Sequence, residues 1–149
     1  MGDNQKQEER EVNDTWLDTN VILRFLRRDN EPMFWAACDV FEKAEAGSLV
    51  LHIHPVIVAE LVWTLDSFYG YTKEEIATTL CGFFTLEGLV LHDRDAVLSA
   101  LLNYKEKNVD YIDAYLAAVA GAHGDHGVVT FDKKHFPQLL KNVTVLKNK

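Results

Sequence analysis

Four carboxylates, Asp18, Glu60, Asp113 and Asp132, each interrupt or abut a run that otherwise reads as buried: WLDTNVIL, VIVAELVWTL, DYIDAYLAAVA and GVVTFD. An ionised carboxylate in an apolar interior is strongly unfavourable unless it is paired, protonated or bound to a cation. The chain offers no matching set of buried Lys or Arg. The economical account is that the four meet around hard cations, Mg2+ or Mn2+, which bind oxygen ligands and stay partly hydrated. Such a cluster points to metal-assisted phosphodiester chemistry. Without metal it should repel itself and raise some carboxylate pKa values.

Each acid also has a plainer reading. Asp18, followed by Thr19 and Asn20, fits a helix cap. Glu60 fits a polar helix face with Thr64 and Ser67, although that face is thin beside Val58, Ala59, Leu61, Val62 and Trp63. Asp110 and Asp113, three apart at a helix start, suit the positive end of the helix dipole. The alanines that follow, at 114, 117, 118 and 120, indicate a closely packed helix and place Asp113 near the interior. Asp132 after a strand fits an ordinary turn.

The elements that must position these residues alternate short β-branched runs with amphipathic helical stretches, the pattern of a mainly parallel sheet flanked by helices. After a polar segment over residues 1–13, expected to be disordered, residues 15–18 form a short strand and 20–28 a helix. Residues 32–46 are helical and stop at Gly47. Leu49–Ile53 is a strand, and Pro55 opens a helix to about residue 69, closed by Gly70. Thr72 and Glu75 form a capping box before a helix over 76–86. Strands over 89–92, 127–131 and 143–146 alternate with helices from Asp93 or Asp95 to 107 and over 110–123. The expected fold is thus a three-layer α/β sandwich around four or five strands, one domain over residues 14–149. In such sheets ligands collect beyond the carboxyl ends of the strands.

The whole chain has 149 residues, 48% hydrophobic, with a formal net charge of −8. That size supports one core. The negative charge argues against a general basic clamp for nucleic acid. Contact would then come from the ions plus a local patch such as Arg24, Arg27 and Arg28, or Lys133, Lys134 and His135, either of which could equally be a solvated face. Cys38 and Cys81 lie in apolar helical patterns without ligand spacing and read as reduced core residues. No run approaches a membrane span, and the amino terminus lacks the apolar stretch of a signal peptide. A cytoplasmic protein is expected.

The wording of the four segments carries more than their acids alone. WLDTNVILRFL, VIVAELVW, VDYIDAYLAAVA and VVTFDKKHF resemble the successive motifs of PIN-domain nucleases, most closely the VapC-type toxins of toxin–antitoxin modules, over nearly the whole chain after residue 14. The resemblance implies a PIN-like sandwich and a Mg2+ or Mn2+ site formed by Asp18, Glu60, Asp113 and Asp132, with Asn20, Asp110 and Thr130 as accompanying polar positions or optional ligands. It implies cleavage of RNA, a tRNA or other structured RNA, leaving a 5′-phosphate and a 3′-hydroxyl. It also implies a small antitoxin partner and a two-fold homodimer. His52 and His54 stand where many relatives carry small hydroxyl residues.

Two alternatives remain beside the toxin: a housekeeping PIN nuclease without antitoxin, and a PIN-like interaction module that catalyses nothing. A neighbouring reading frame for a small protein would separate toxin from housekeeping enzyme, and all four acids kept intact disfavour the module. Other chemistries lack their motifs, since the six histidines show no H-E-x-x-H, and no G-x-S-x-G, P-loop or G-x-G-x-x-G is present. The rings of Phe34, Trp35, Phe41, Trp63, Phe68, Tyr69, Phe83 and Phe84 are mostly core by default, with some left to form a self-association or antitoxin groove. Trp63, Leu65, Phe68, Ile76, Leu80, Phe83 and Phe84 form the expected dimer surface.

Overall fold

The computed structural model describes residues 11–149, so the polar segment over 1–13 lies mostly outside the described residues. Five strands, β1 (Asn13–Trp16), β2 (Leu49–Ile53), β3 (Leu89–Leu91), β4 (Val128–Thr130) and β5 (Val143–Val145), alternate with helices. The helices are α1 (Thr19–Arg27), α2 (Glu31–Glu45), α3 (Pro55–Ser67), α4 (Lys73–Phe83), α5 (Arg94–Glu106), α6 (Tyr111–Ala122) and the short α7 (Phe136–Leu139). Every strand pairing is parallel, so each connection must cross over, and the helices supply those crossovers.

Helix starts follow local chemistry. Asn30 caps α2 by accepting from the Met33 N–H, and Thr72 caps α4 by accepting from the Glu75 N–H while its hydroxyl bonds the Glu75 carboxylate. At α5 the capping residue is Asp93, in left-handed backbone with φ 54°, yet its side chain makes no cap bond. It accepts instead from the Tyr115 hydroxyl at 2.6 Å, tying α5 to α6. That bond and burial push the Tyr115 phenol up to about 12, burial contributing most.

The strands fall into two ladders, β1-β2-β3 and β4-β5, where the sequence suggests one sheet. In the first, Trp16 sits opposite His52 and Ile53 opposite Leu91. Its buried face, with Leu51 and Ile53, packs with Leu61, Leu65, Ile76, Leu80 and Leu101 into the main core. The second ladder rides on α6 and α7 over a separate small core of Ala117, Ala120, Val128 and Phe136. Cys38 and Cys81 are unpaired and half-buried, and burial pushes the Cys81 thiol up.

The expected dimer surface is mostly interior. Leu65, Ile76, Leu80, Phe83 and Phe84 are buried in the protomer, so a single sheet face and its helices cover more apolar surface than the sequence suggests. Only Trp63, 67% exposed, and Phe68, 76% exposed, remain outside among those seven.

Candidate metal centre

The Asp113 carboxylate on the first turn of α6 faces the loop after β4. Asp113, Asp132 and His135 each bring one ligand atom within 4.8 Å of the others. His135 Nδ1 donates to Asp113 Oδ2 at 2.9 Å and lies 3.4 Å from Asp132 Oδ2. All three side chains are about one-quarter exposed, which leaves the group reachable from solvent.

Asp132 is held by its own turn. Oδ1 accepts from the Lys134 N–H at 2.8 Å, Oδ2 accepts from the His135 N–H at 3.0 Å, and Thr130 Oγ1 accepts from the Asp132 N–H at 3.0 Å. The turn-residue reading is therefore correct, and it orients the carboxylate toward Asp113 at the same time. The Lys134 N–H, followed by that of His135 and the nearby charges of both residues, holds the Asp132 carboxyl below the usual range against a smaller opposing effect of burial. This acid is therefore not one of those that mutual repulsion raises, because backbone donors stabilise its charged form.

Asp18 and Glu60 are not in the three-residue group. Both carboxylates are exposed rather than buried, since burial alternates along residues 16–19: Leu17 and Thr19 turn inward while Trp16 and Asp18 turn out. On α3, Val58, Leu61, Val62 and Leu65 take the interior, which leaves Glu60 on the outer stripe with Val56 and Trp63. Glu60 is anchored nonetheless, its Oε2 accepting from Thr19 Oγ1 at 2.7 Å. Thr19 is the one buried polar residue named among the described residues, so this bond satisfies an interior hydroxyl.

The cap reading of Asp18 is half right. Asp18 occupies the N-cap position of α1 with extended backbone, but its side chain accepts no cap hydrogen bond. Asp110 stands in the same relation to α6. Both carboxylates are thus uncommitted to their helices. Asn20 lines a shallow apolar groove between α1 and α2 with Val21, Arg24 and Met33.

His135 entered the sequence reading only as part of a basic patch. Its signal was the spacing in TFDKKHF, where a turn at Asp132 returns the third following side chain to the carboxylates. The Arg24, Arg27 and Arg28 patch is largely offset internally, three guanidiniums sharing two carboxylates: Arg24 and Arg27 bond Asp29 at 3.0 and 3.3 Å, and Arg28 bonds Glu31 at 3.2 Å.

The PIN domain family matches residues 16–141, which includes β2, β3, β4 and all seven helices but only Trp16 of β1 and none of β5. The chain belongs to the PIN-domain family. No curated protein matches it. The PIN domain is a nuclease fold whose members are generally metal-dependent and act on RNA, and the geometry fits that requirement. Two carboxylates and an imidazole within 4.8 Å of one another form a hard, anionic donor set of the kind divalent cations take. Among the described residues, no helix is long and apolar enough to cross a membrane.

Proposed function

We propose that this PIN domain is a metal-dependent endoribonuclease, the toxin of a VapBC-type module. The observation that carries the nuclease reading is the convergence of Asp113 and Asp132 from separate elements onto one solvent-reachable point. In this reading Asp113 and Asp132 hold the cation, His135 offers a nitrogen donor, and Asp18 and Glu60 complete the site directly or through water. A bound Mg2+ or Mn2+ supplies a water of lowered pKa and offsets charge on the phosphate. The residues supply the rest. Thr19 fixes the rotamer of Glu60, the Asp132 turn keeps that carboxylate ionised and aimed, and the uncapped Asp18 and Asp110 leave their oxygens available.

The toxin reading is supported by the wording of the four motif segments, and Trp63 and Phe68 on or beside α3 offer exposed apolar surface for an antitoxin or a second copy of the chain. A cytoplasmic setting fits the two separate, unpaired cysteines.

The test is cleavage of a panel of tRNAs and structured RNAs by the purified protein with Mg2+ or Mn2+, against the Asp113→Asn variant. Metal-dependent cutting by the parent alone supports the reading. Equal activity of the variant, or none by the parent toward any RNA, overturns it. Co-expression with the product of an adjacent small reading frame, with relief of growth arrest as readout, tests the toxin assignment separately.

A further inference from the structure

An assembly of rings at the carboxyl ends of β1, β2 and β3 is not used by the acidic site. Asp14 Oδ1 accepts from His52 Nε2 at 2.7 Å, and His52 Nδ1 lies 2.8 Å from His92 Nε2. With His52 donating to the carboxylate, its other nitrogen accepts from His92, a tautomer assigned from the hydrogen-bond chain. The two imidazoles are thereby fixed side by side, centroids 5.1 Å apart. The Trp16 indole stacks on both, at 5.0 Å from His52 with 30° between planes and 4.7 Å from His92 with 24°. Rings on opposite faces of an indole could not be so close to each other, so both imidazoles lie under one face. Trp16 remains 58% exposed.

We propose that the outward face of Trp16 is a stacking platform for a base of single-stranded RNA, on the same open side as Asp18. The proposal rests on the ribonuclease reading and names how that site gains its substrate. Three observations favour a base. The alternation along residues 16–19 puts Trp16 and Asp18 on the same open side, two residues apart. Asp14 and Asp18 make this surface unfavourable for phosphate, whereas the face of a base carries no net charge. Finally, Arg24, Arg27 and Arg28 are each paired with Asp29 or Glu31, and the chain carries a net charge of −8. Of the two basic patches only Lys133 and Lys134 keep cations without a carboxylate partner among the described residues, so phosphate neutralisation is limited and stacking on a ring is the sequence-tolerant addition. The hydrogen-bond chain from Asp14 holds the platform rigid before RNA arrives, so little ordering entropy is lost on binding.

The test uses the full chain with Trp35→Phe and Trp63→Phe, leaving Trp16 as the sole indole, titrated with an oligoadenylate of about twelve nucleotides in Ca2+. Trp16 fluorescence should be quenched on binding. Trp16→Ala should raise Kd, and KM for cleavage, on the order of 10-fold with kcat changed little. Trp16→Tyr should restore most of the affinity and Trp16→Leu should not, which separates stacking from mere apolar bulk or loss of fold. Unchanged Kd and KM in Trp16→Ala, alongside normal RNA cleavage, would overturn the platform and leave the ribonuclease reading standing. Quenching by oligoadenylate with no cleavage of any RNA would support the platform and remove the ribonuclease. If Trp16→Ala turns a dimer into a monomer without altering RNA affinity, the face belongs to a second copy and the proposal fails.

Discussion

Thr19 Oγ1 lies 2.7 Å from Glu60 Oε2 and joins the first turn of α1 to the middle of α3 across 41 positions of sequence. A buried hydroxyl thus sets the direction of an exposed carboxylate. Residues that orient a ligand without touching the metal commonly matter for activity almost as much as the ligand.

Thr19→Val, close in shape but without the donor, should lower RNA cleavage by about 10- to 100-fold and cost about 1 kcal/mol of stability. Glu60→Gln should lower activity at least as far while leaving the fold intact. Full activity in Thr19→Val, measured by single-turnover cleavage, would show that Glu60 does not need this anchor.

Chelation should abolish cleavage. Because His135 adds nitrogen to an otherwise oxygen donor set, Mn2+ should restore activity at lower concentration than Mg2+, and His135→Asn should narrow that difference. Ca2+ should bind without supporting comparable turnover, since its looser coordination holds an attacking water less strictly. Calorimetric titration of each ion into parent and variant measures the preference apart from catalysis, and an unaltered Mn2+/Mg2+ ratio in His135→Asn would exclude the imidazole from the donor set.

Acid stability should depend on Asp132. Its folded pKa lies below the ordinary value of about 3.9, so its stabilising contribution is present above that value and is lost as pH falls through the lower folded one. Asp132→Asn should flatten the fall of Tm below about pH 4. A parent and variant with parallel Tm profiles over that range would show that the turn's N–H donors contribute nothing to folding.

Gly88 should tolerate no side chain. Its φ is +81°, and a Cβ there would sit 2.6 Å from the Ala44 carbonyl oxygen near the end of α2. Gly88→Ala should cost about 3 kcal/mol, whereas Gly70→Ala, also at positive φ but in open space, should cost about 1 kcal/mol. Equal denaturation midpoints for the two would contradict the close packing of β3 against α2.

Most of the fold was legible because its signals are local. Pro55 and the Thr72–Glu75 pair mark helix starts by their own chemistry, and the apolar strand of Leu49–Ile53 needs no distant partner to be recognised. The short α7 was missed, since four residues carry no periodicity. Asp113 and Asp132 were legible as candidates, but the exposure of Asp18 and Glu60 was not. Apolar runs around both suggested burial, and which side of a strand or helix faces the core is decided by packing that the run itself does not encode. His135 was hidden for a related reason: its role depends on a turn that brings it back over Asp132.

The three residues of the acidic centre stand on two core clusters of unequal size. Asp113 precedes Ala114, a member of the main core, whereas Asp132 and His135 follow β4, whose ladder rests on the smaller cluster of Ala117, Ala120, Val128 and Phe136 with Leu139, Leu140 and Val143 packed against it. The smaller unit has less apolar contact to resist opening, so its amides should exchange through local fluctuations while those of the larger require global unfolding. A cation held across the boundary, as the proposed function requires, would bind only the closed arrangement and shift that balance by mass action. Hydrogen exchange at Val128 and Thr144 should therefore slow on adding Mn2+ while that at Leu51 and Ile53 changes little, making the ion a latch for the smaller unit.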